Sequence, residues 1–250
     1  MNAKLLKLLV TPVSAVLIAL LSMQVSAQVQ EVDPVAVETL QRMTSYVSSL
    51  KKFSVHTENT FEDLLESGQR VDLDMAADVV INRPNQIVAK RSGELVHQVF
   101  YYDGDSLTLF QPQDAMYFSD AAPKTIEEMV DYAREDLGIV FPISDLVYRN
   151  VFAILMEGVS SATVIGKAMI GGVKCDHLAF NRPDVQFQVW VADGDLPLPC
   201  KYVVTDISSP ENVSTVSVLS KWNVSPDVTA DMFSFTPPAG AKAVELTELD

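Results

Sequence analysis

The chain has 250 residues, a formal net charge of −15 and a hydrophobic fraction of 48%. So acidic a surface repels nucleic acid and anionic lipid headgroups at long range, which excludes nucleic-acid binding. The length suits one large all-β or α+β domain that buries its core without staples.

Lys4 and Lys7 precede an apolar stretch from Leu8 to Leu21, and the small-residue site Val25-Ser26-Ala27 follows. That order is a secretory signal, in which basic residues hold the cytoplasmic end while the apolar run enters the membrane. Thr11, Pro12 and Ser14 interrupt the run. It falls short of the ~20 apolar residues of a membrane span, so cleavage after Ala27 is expected. No cysteine lies between Leu21 and Asp33 to accept a lipid, so residues 28–250 are expected as one soluble periplasmic domain without a stable membrane anchor.

Asp33 is placed to cap a helix and Pro34 fits its first turn; Val37, Leu40, Met43, Val47 and Leu50 then recur at spacings of three and four. The period next changes to two. Phe53, Val55, Thr57, Asn59 and Phe61 alternate with polar partners, and after Ser67-Gly68, Val71, Leu73, Met75, Ala77 and Val79 alternate with Arg70, Asp72, Asp74 and Asp78. Such strands form an antiparallel sheet covered on one side only. Further strands are read at Gln86 to Lys90, Leu95 to Tyr102, Leu107 to Phe110 and Met116 to Phe118, with Ser92-Gly93 and Asp103-Gly104-Asp105 as separators.

Thr125 and Glu128 have capping-box spacing, and a helical stripe through Met129, Tyr132 or Ala133 and Leu137 ends at Gly138. Two shorter helical pieces are expected, one after Pro142 and one from Asn150 to Glu157. Strands resume over Ala162 to Ile170, Val173 to Phe180, Val185 to Val191, Lys201 to Ile207 and Val213 to Val224. The tail around Phe233-Ser234-Phe235 is expected to dock as an edge segment. The sum is a mainly β (α+β) fold: a single strongly curved antiparallel sheet of about eleven strands, forming an incomplete barrel covered by the N-terminal helix and a central helical lid.

Cys175 and Cys200 in an oxidising compartment make a disulfide the default expectation. Against it, one strand intervenes, so they stand about 9 to 10 Å apart at ~4.8 Å per strand, whereas a bridge needs Cα atoms within about 7 Å. Both alternatives stay open. Enzymatic chemistry has little to rest on. His56 lies on a polar strand face, and His97 lacks an acidic neighbour at ligand spacing. Cys175 and His177 share one side of their strand, the single arrangement from which a nucleophile or metal site could be built, while Asp176 faces away. The two Asp-Gly-Asp clusters lack the further oxygen ligands of a calcium loop and read as hairpin turns. No catalytic residues, metal or cofactor are assigned.

Three local motifs carry a resemblance: Arg83-Pro84-Asn85 at a strand end, Tyr102-Asp103-Gly104 with Leu107, Leu109, Phe110 and Pro112 downstream, and the tail Phe233-Ser234-Phe235-Thr236-Pro237-Pro238-Ala239-Gly240. In this order the chain resembles the periplasmic lipoprotein-carrier superfamily (LolA/LolB type). Asp176-His177-Leu178-Ala179-Phe180 and Leu196-Pro197-Leu198-Pro199 resemble a branch of predicted periplasmic proteins without an assigned activity. The resemblance implies a helical lid over an apolar cavity.

In that frame Met129, Tyr132, Phe141, Phe152, Leu155 and Met156 of the lid are expected to face Phe53, Val55, Leu73 and Met75 of the concave sheet. Flexible Met and broad aromatic side chains suit an apolar ligand: a lipid, an acyl chain or a lipidated protein. No basic residue is read inside the apolar face. The alternative is an envelope interaction or sensor module that binds a protein partner.

Overall fold

The computed structural model describes residues 31–249 apart from 95, 140, 142 and 143, and the expected signal, 1–27, lies outside the described residues. Helix α1, Pro34–Ser49, starts where Asp33 accepts a hydrogen bond from the Val35 amide. Ala36, Leu40, Met43 and Val47 are fully buried along one face, as their spacing requires.

Six strands follow: β1 (Lys52–Leu64), β2 (Arg70–Asn82), β3 (Gln86–Gly93), β4 (His97–Tyr102), β5 (Ser106–Gln111) and β6 (Met116–Ala121). The helical segment comprises α2 (Ile126–Glu135), a 3₁₀ turn at Ser144–Val147 and α3 (Val151–Met156). Thr125 caps α2, its hydroxyl accepting from the Glu128 amide, and Gly138 adopts the left-handed backbone just past the helix end. Then come β7 (Ser161–Ile170), β8 (Val173–Asn181), β9 (Val185–Ala192), β10 (Pro199–Asp206), β11 (Ser214–Asn223) and the two-residue β12 (Lys242–Ala243).

All twelve strands join one unclosed sheet in the order β12-β6-β5-β4-β3-β2-β1-β11-β10-β9-β8-β7. The expectation of about eleven strands is corrected by β12, which pairs parallel to β6; the others are antiparallel neighbours. The long strands β1 and β2 pair over thirteen residues from Lys52↔Asn82 to Leu64↔Arg70, and β1 closes onto β11, which joins the two halves.

The tail docks in two ways. Phe233 is fully buried, and Phe235 packs against the rings of Tyr101, Phe110 and Tyr117 at 5.0 to 5.5 Å, covering the sheet face that bears them. The edge itself is taken by Lys242 and Ala243. Two of the motifs that carry the resemblance also meet: Gly104, at φ +97°, a backbone conformation that favours glycine, stands against the Asn85 side chain, whose Nδ2 would lie 2.2 Å from an added Cβ.

Gly93 corrects a second expectation. Read as a turn residue, it instead ends β3 opposite Met75, where an added Cβ would lie 2.2 Å from the Asp74 carbonyl oxygen. The strand therefore continues through Arg91, and that positions the site.

Candidate ligand-binding cleft

Register determines which side chains share the concave face. The row Ile87, Ile81 and Phe53 is formed by the pairs Ile81↔Ile87 and Phe53↔Ile81 of β3, β2 and β1. Two residues along, Ala89, Val79 and Val55 form the next row, and Arg91, Ala77 and Thr57 the third. Val47 of α1, Met129 and Val130 of α2, Phe141, and Leu146 and Val147 of the 3₁₀ turn close over these rows, with Trp222 of β11 at one side.

Between sheet and lid remains an apolar cleft with about 70 Å³ of free volume. A cavity of roughly 150 Å³ is what accepts a benzene-sized guest, so in this state the lid fills most of the space.

The ten residues expected from sequence divide. Phe53, Val55, Met129 and Phe141 come together as cleft lining. Met75 lies one row beyond Arg91, buried beside Asn59 and outside the cleft lining. Leu73 is farther out and half-buried. Phe152, Leu155 and Met156 join the same core by way of α3, which packs on α1. Tyr132 directs its hydroxyl to Asp120 at 2.6 Å, and the carboxylate bonded to it raises the phenol to about 12.

Two arginines overturn the reading that no basic residue enters the apolar face. Arg83, at the end of β2, has a side chain only 4% exposed, and its Nη1 donates to the Val147 carbonyl at 2.5 Å. Glu127 of α2 stands 3.6 Å from the same nitrogen. Arg83 thus fastens the rim of the sheet to both parts of the lid. Burial lowers its pKa, and the Glu127 charge works in the opposite direction.

Arg91 lines the cleft itself and is 9% exposed. Its Nη2 donates to Gln98 Oε1 at 2.7 Å, and its guanidinium carbon lies 5.5 Å from the centre of the Phe141 ring. Its Nε is buried without a partner, and among the described residues no carboxylate pairs with it. Burial alone holds its pKa below the ordinary arginine value.

The third row also begins a polar patch. Asn59 Nδ2 donates to Thr57 Oγ1 at 2.9 Å and to the Met75 carbonyl at 3.1 Å, while the buried Ser217 hydroxyl donates to Asn59 Oδ1 at 2.7 Å. The concave surface therefore grades from apolar at Phe53 to polar at Asn59, with Arg91 on the boundary.

Cys175 and His177 lie apart from this cleft. The His177 ring stacks on Trp190 with centroids 3.9 Å apart and hydrogen-bonds Gln188 at 2.9 Å; Lys201 covers Trp190 at 4.8 Å. Although β9 does stand between β8 and β10, the register skips Cys200 between Pro199 and Lys201. That bulge places Cys200 in one cluster with Cys175 and Trp190, both thiols unbridged, Cys175 donating to the Val173 carbonyl and Cys200 to the Leu198 carbonyl. Burial raises both thiols above their ordinary values. Among the described residues no three His, Cys, Asp or Glu side chains are grouped to hold a metal ion, and no helix is long and apolar enough to cross a membrane.

Solved structures resemble the chain. LprF from Mycobacterium bovis superposes with a TM-score of 0.51 at 15% identity, covering 85% of this chain and all of that one. Lipoprotein LppX from Mycobacterium tuberculosis gives 0.47 at 14% identity over 79% of this chain and 100% of its own. A LolA superfamily protein from Nitrosomonas europaea gives 0.39 at 10% identity over 80% and 97%. The LprF likeness carries the fold, an incomplete barrel under helices. A search of curated proteins returns no relative. Residues 36–247 match the family described as predicted periplasmic protein (DUF2092), and the chain belongs to that family of the periplasm.

Proposed function

We propose that the protein is a soluble periplasmic carrier for an apolar ligand, a lipid, an acyl chain or a lipidated protein, held between the curved sheet and the helical lid without covalent chemistry. The observation that carries this reading is the apolar cleft lined by Phe53, Val55, Ile81, Ile87 and Phe100 on the sheet and by Met129 and Phe141 on the lid. Because about 70 Å³ is too small for an acyl chain, loading requires the lid to withdraw from the sheet. The Arg83 hydrogen bond to Val147 and its ion pair with Glu127 are the contacts that must then break.

Protein secreted to the periplasm and purified without detergent is expected to release a stoichiometric amphiphile on denaturation, identified by mass spectrometry. A ligand-free preparation that also fails to bind acyl-chain probes would refute the carrier reading. A second reading, a module that binds a protein partner, draws on β7. This strand ends the sheet and exposes Ile165 and Met169 at 56% and 64%. Capture of a periplasmic protein that is lost on I165D, with acyl-chain binding absent, would favour it.

A further inference from the structure

We infer that the ligand of this cleft is an amphiphile with an anionic head and a single alkyl chain, the head seated on Arg91 and the chain running inward over the Val55 and Phe53 rows. The inference rests on the carrier reading and adds the head-group chemistry to it.

Three observations converge on Arg91. It is a buried cation lining an apolar cleft, with one N–H donor unsatisfied and no carboxylate opposite it among the described residues. An unpaired buried charge is costly, and the natural compensation is an opposite charge that arrives with the ligand. The second observation is the contrast with Arg83, which is also left with unpartnered Nε and Nη2 but has the Glu127 carboxylate 3.6 Å away to balance its charge. Arg91 has only Gln98 and the face of Phe141, and neither neutralises it.

The third is its position in the sheet. On its outer side the next row holds Asn59, Met75 and Gly93, where the buried Asn59 and Ser217 side chains make the face polar. On its inner side the Ala89 and Ile87 rows are wholly apolar. From Arg91 to Ile87 is four residues of extended strand, ~13 Å at about 3.3 Å per residue, which suits an alkyl tail laid along β3. An amphiphile placed the other way round would bury its head among Phe53, Ile81 and Ile87 and leave Arg91 uncompensated.

A carboxylate and a phosphate monoester both offer the oxygens that a guanidinium recognises, so a fatty acid and a monoalkyl phosphate are the two sources to separate. Trp222 lines the cleft and reports on occupancy when a bromine atom on the chain quenches its fluorescence. Secreted full-length protein is titrated with ω-bromoundecanoic acid and with ω-bromoundecanol; dodecyl phosphate and dodecanoate then compete for the bound acid.

The acid is expected to bind about tenfold or more tightly than the alcohol, the size of one charge-assisted hydrogen bond. In R91Q that preference disappears, acid and alcohol binding with equal affinity, and R91K retains part of it. Stronger competition by dodecyl phosphate assigns a phosphate head, and stronger competition by dodecanoate a carboxylate head. Equal binding of acid and alcohol by the unmodified protein overturns the inference whether or not R91Q folds, and leaves the carrier reading standing. Binding of neither probe overturns both.

Discussion

Removing the Arg83 guanidinium should release the lid without dissolving the sheet. In Arg83→Met the apolar volume is nearly kept, but the bond from Nη1 to the Val147 carbonyl is lost and Glu127 loses a cation at 3.6 Å. A hydrogen bond to a charged group contributes about 1.5–3 kcal/mol net, and each 1.4 kcal/mol is a tenfold change in an equilibrium. Lid opening should therefore become about 10- to 100-fold more frequent. Hydrogen exchange read by mass spectrometry on peptides covering Ser144–Met156, with peptides from β3 and β4 as internal reference, measures that ratio. The lid peptides should exchange faster by this factor while the strand peptides keep their rates. Uniform acceleration across lid and strands would mean that Arg83 supports the whole fold, and unchanged lid exchange would refute its role as a latch.

Arg91→Met should raise the melting temperature of ligand-free protein. It removes a buried, unpaired charge whose desolvation costs several kcal/mol, and forfeits the Gln98 hydrogen bond of about 1.5–3 kcal/mol and a cation–π contact of about 0.5–2 kcal/mol. A net gain near 1 kcal/mol corresponds to about 2–4 °C in scanning calorimetry for a domain of this size, and a lowered melting temperature would contradict the account. Asp145, in the 3₁₀ turn of the lid, has its pKa raised by burial against the opposing pull of Arg134 and Arg182. Its folded form holds the proton to higher pH than the unfolded chain, so its favourable contribution is complete below the unfolded value of 3.8 and is lost as pH rises through the folded one. Asp145→Asn should accordingly melt higher than the unmodified protein at neutral pH and converge with it in acid, by calorimetry across that range. Both thiols are raised by burial, so Cys175 and Cys200 should react slowly with iodoacetamide near pH 8 in the folded protein and readily once it is unfolded, as counted by intact mass. Fast labelling of the folded chain would show the cluster to be open.

What the sequence discloses about this cleft follows from which signals are local. Asp33, Pro34 and the spacing from Val37 to Val47 specify α1 by themselves, and the two-residue alternation of β1 and β2 assigns Phe53 and Val55 to the concave face. Met129 is legible through the cap at Thr125, which phases the helical stripe. Ile87, Ala89, Phe100 and Trp222 reach the cleft only through cross-strand register, which no local pattern states. Phe152, Leu155 and Met156 carry the same apolar signal as Met129, yet α3 applies it to packing under α1.

Arg91 was concealed for a more particular reason. Followed by Ser92 and Gly93, it reads as a charged residue entering a turn. Gly93 is there because the neighbouring strand comes too close at Asp74 for any Cβ, and this close approach keeps β3 in register for two residues past Arg91. Were Gly93 a turn residue, Arg91 would sit at a strand end with its charge in water. As the last residues of a paired strand, the same three letters turn the guanidinium inward under Phe141. The glycine that imitates a turn is thus what places a cation inside the apolar face, and G93A, which would push β3 away from β2 at that point, should relax the Arg91 environment as well as the strand.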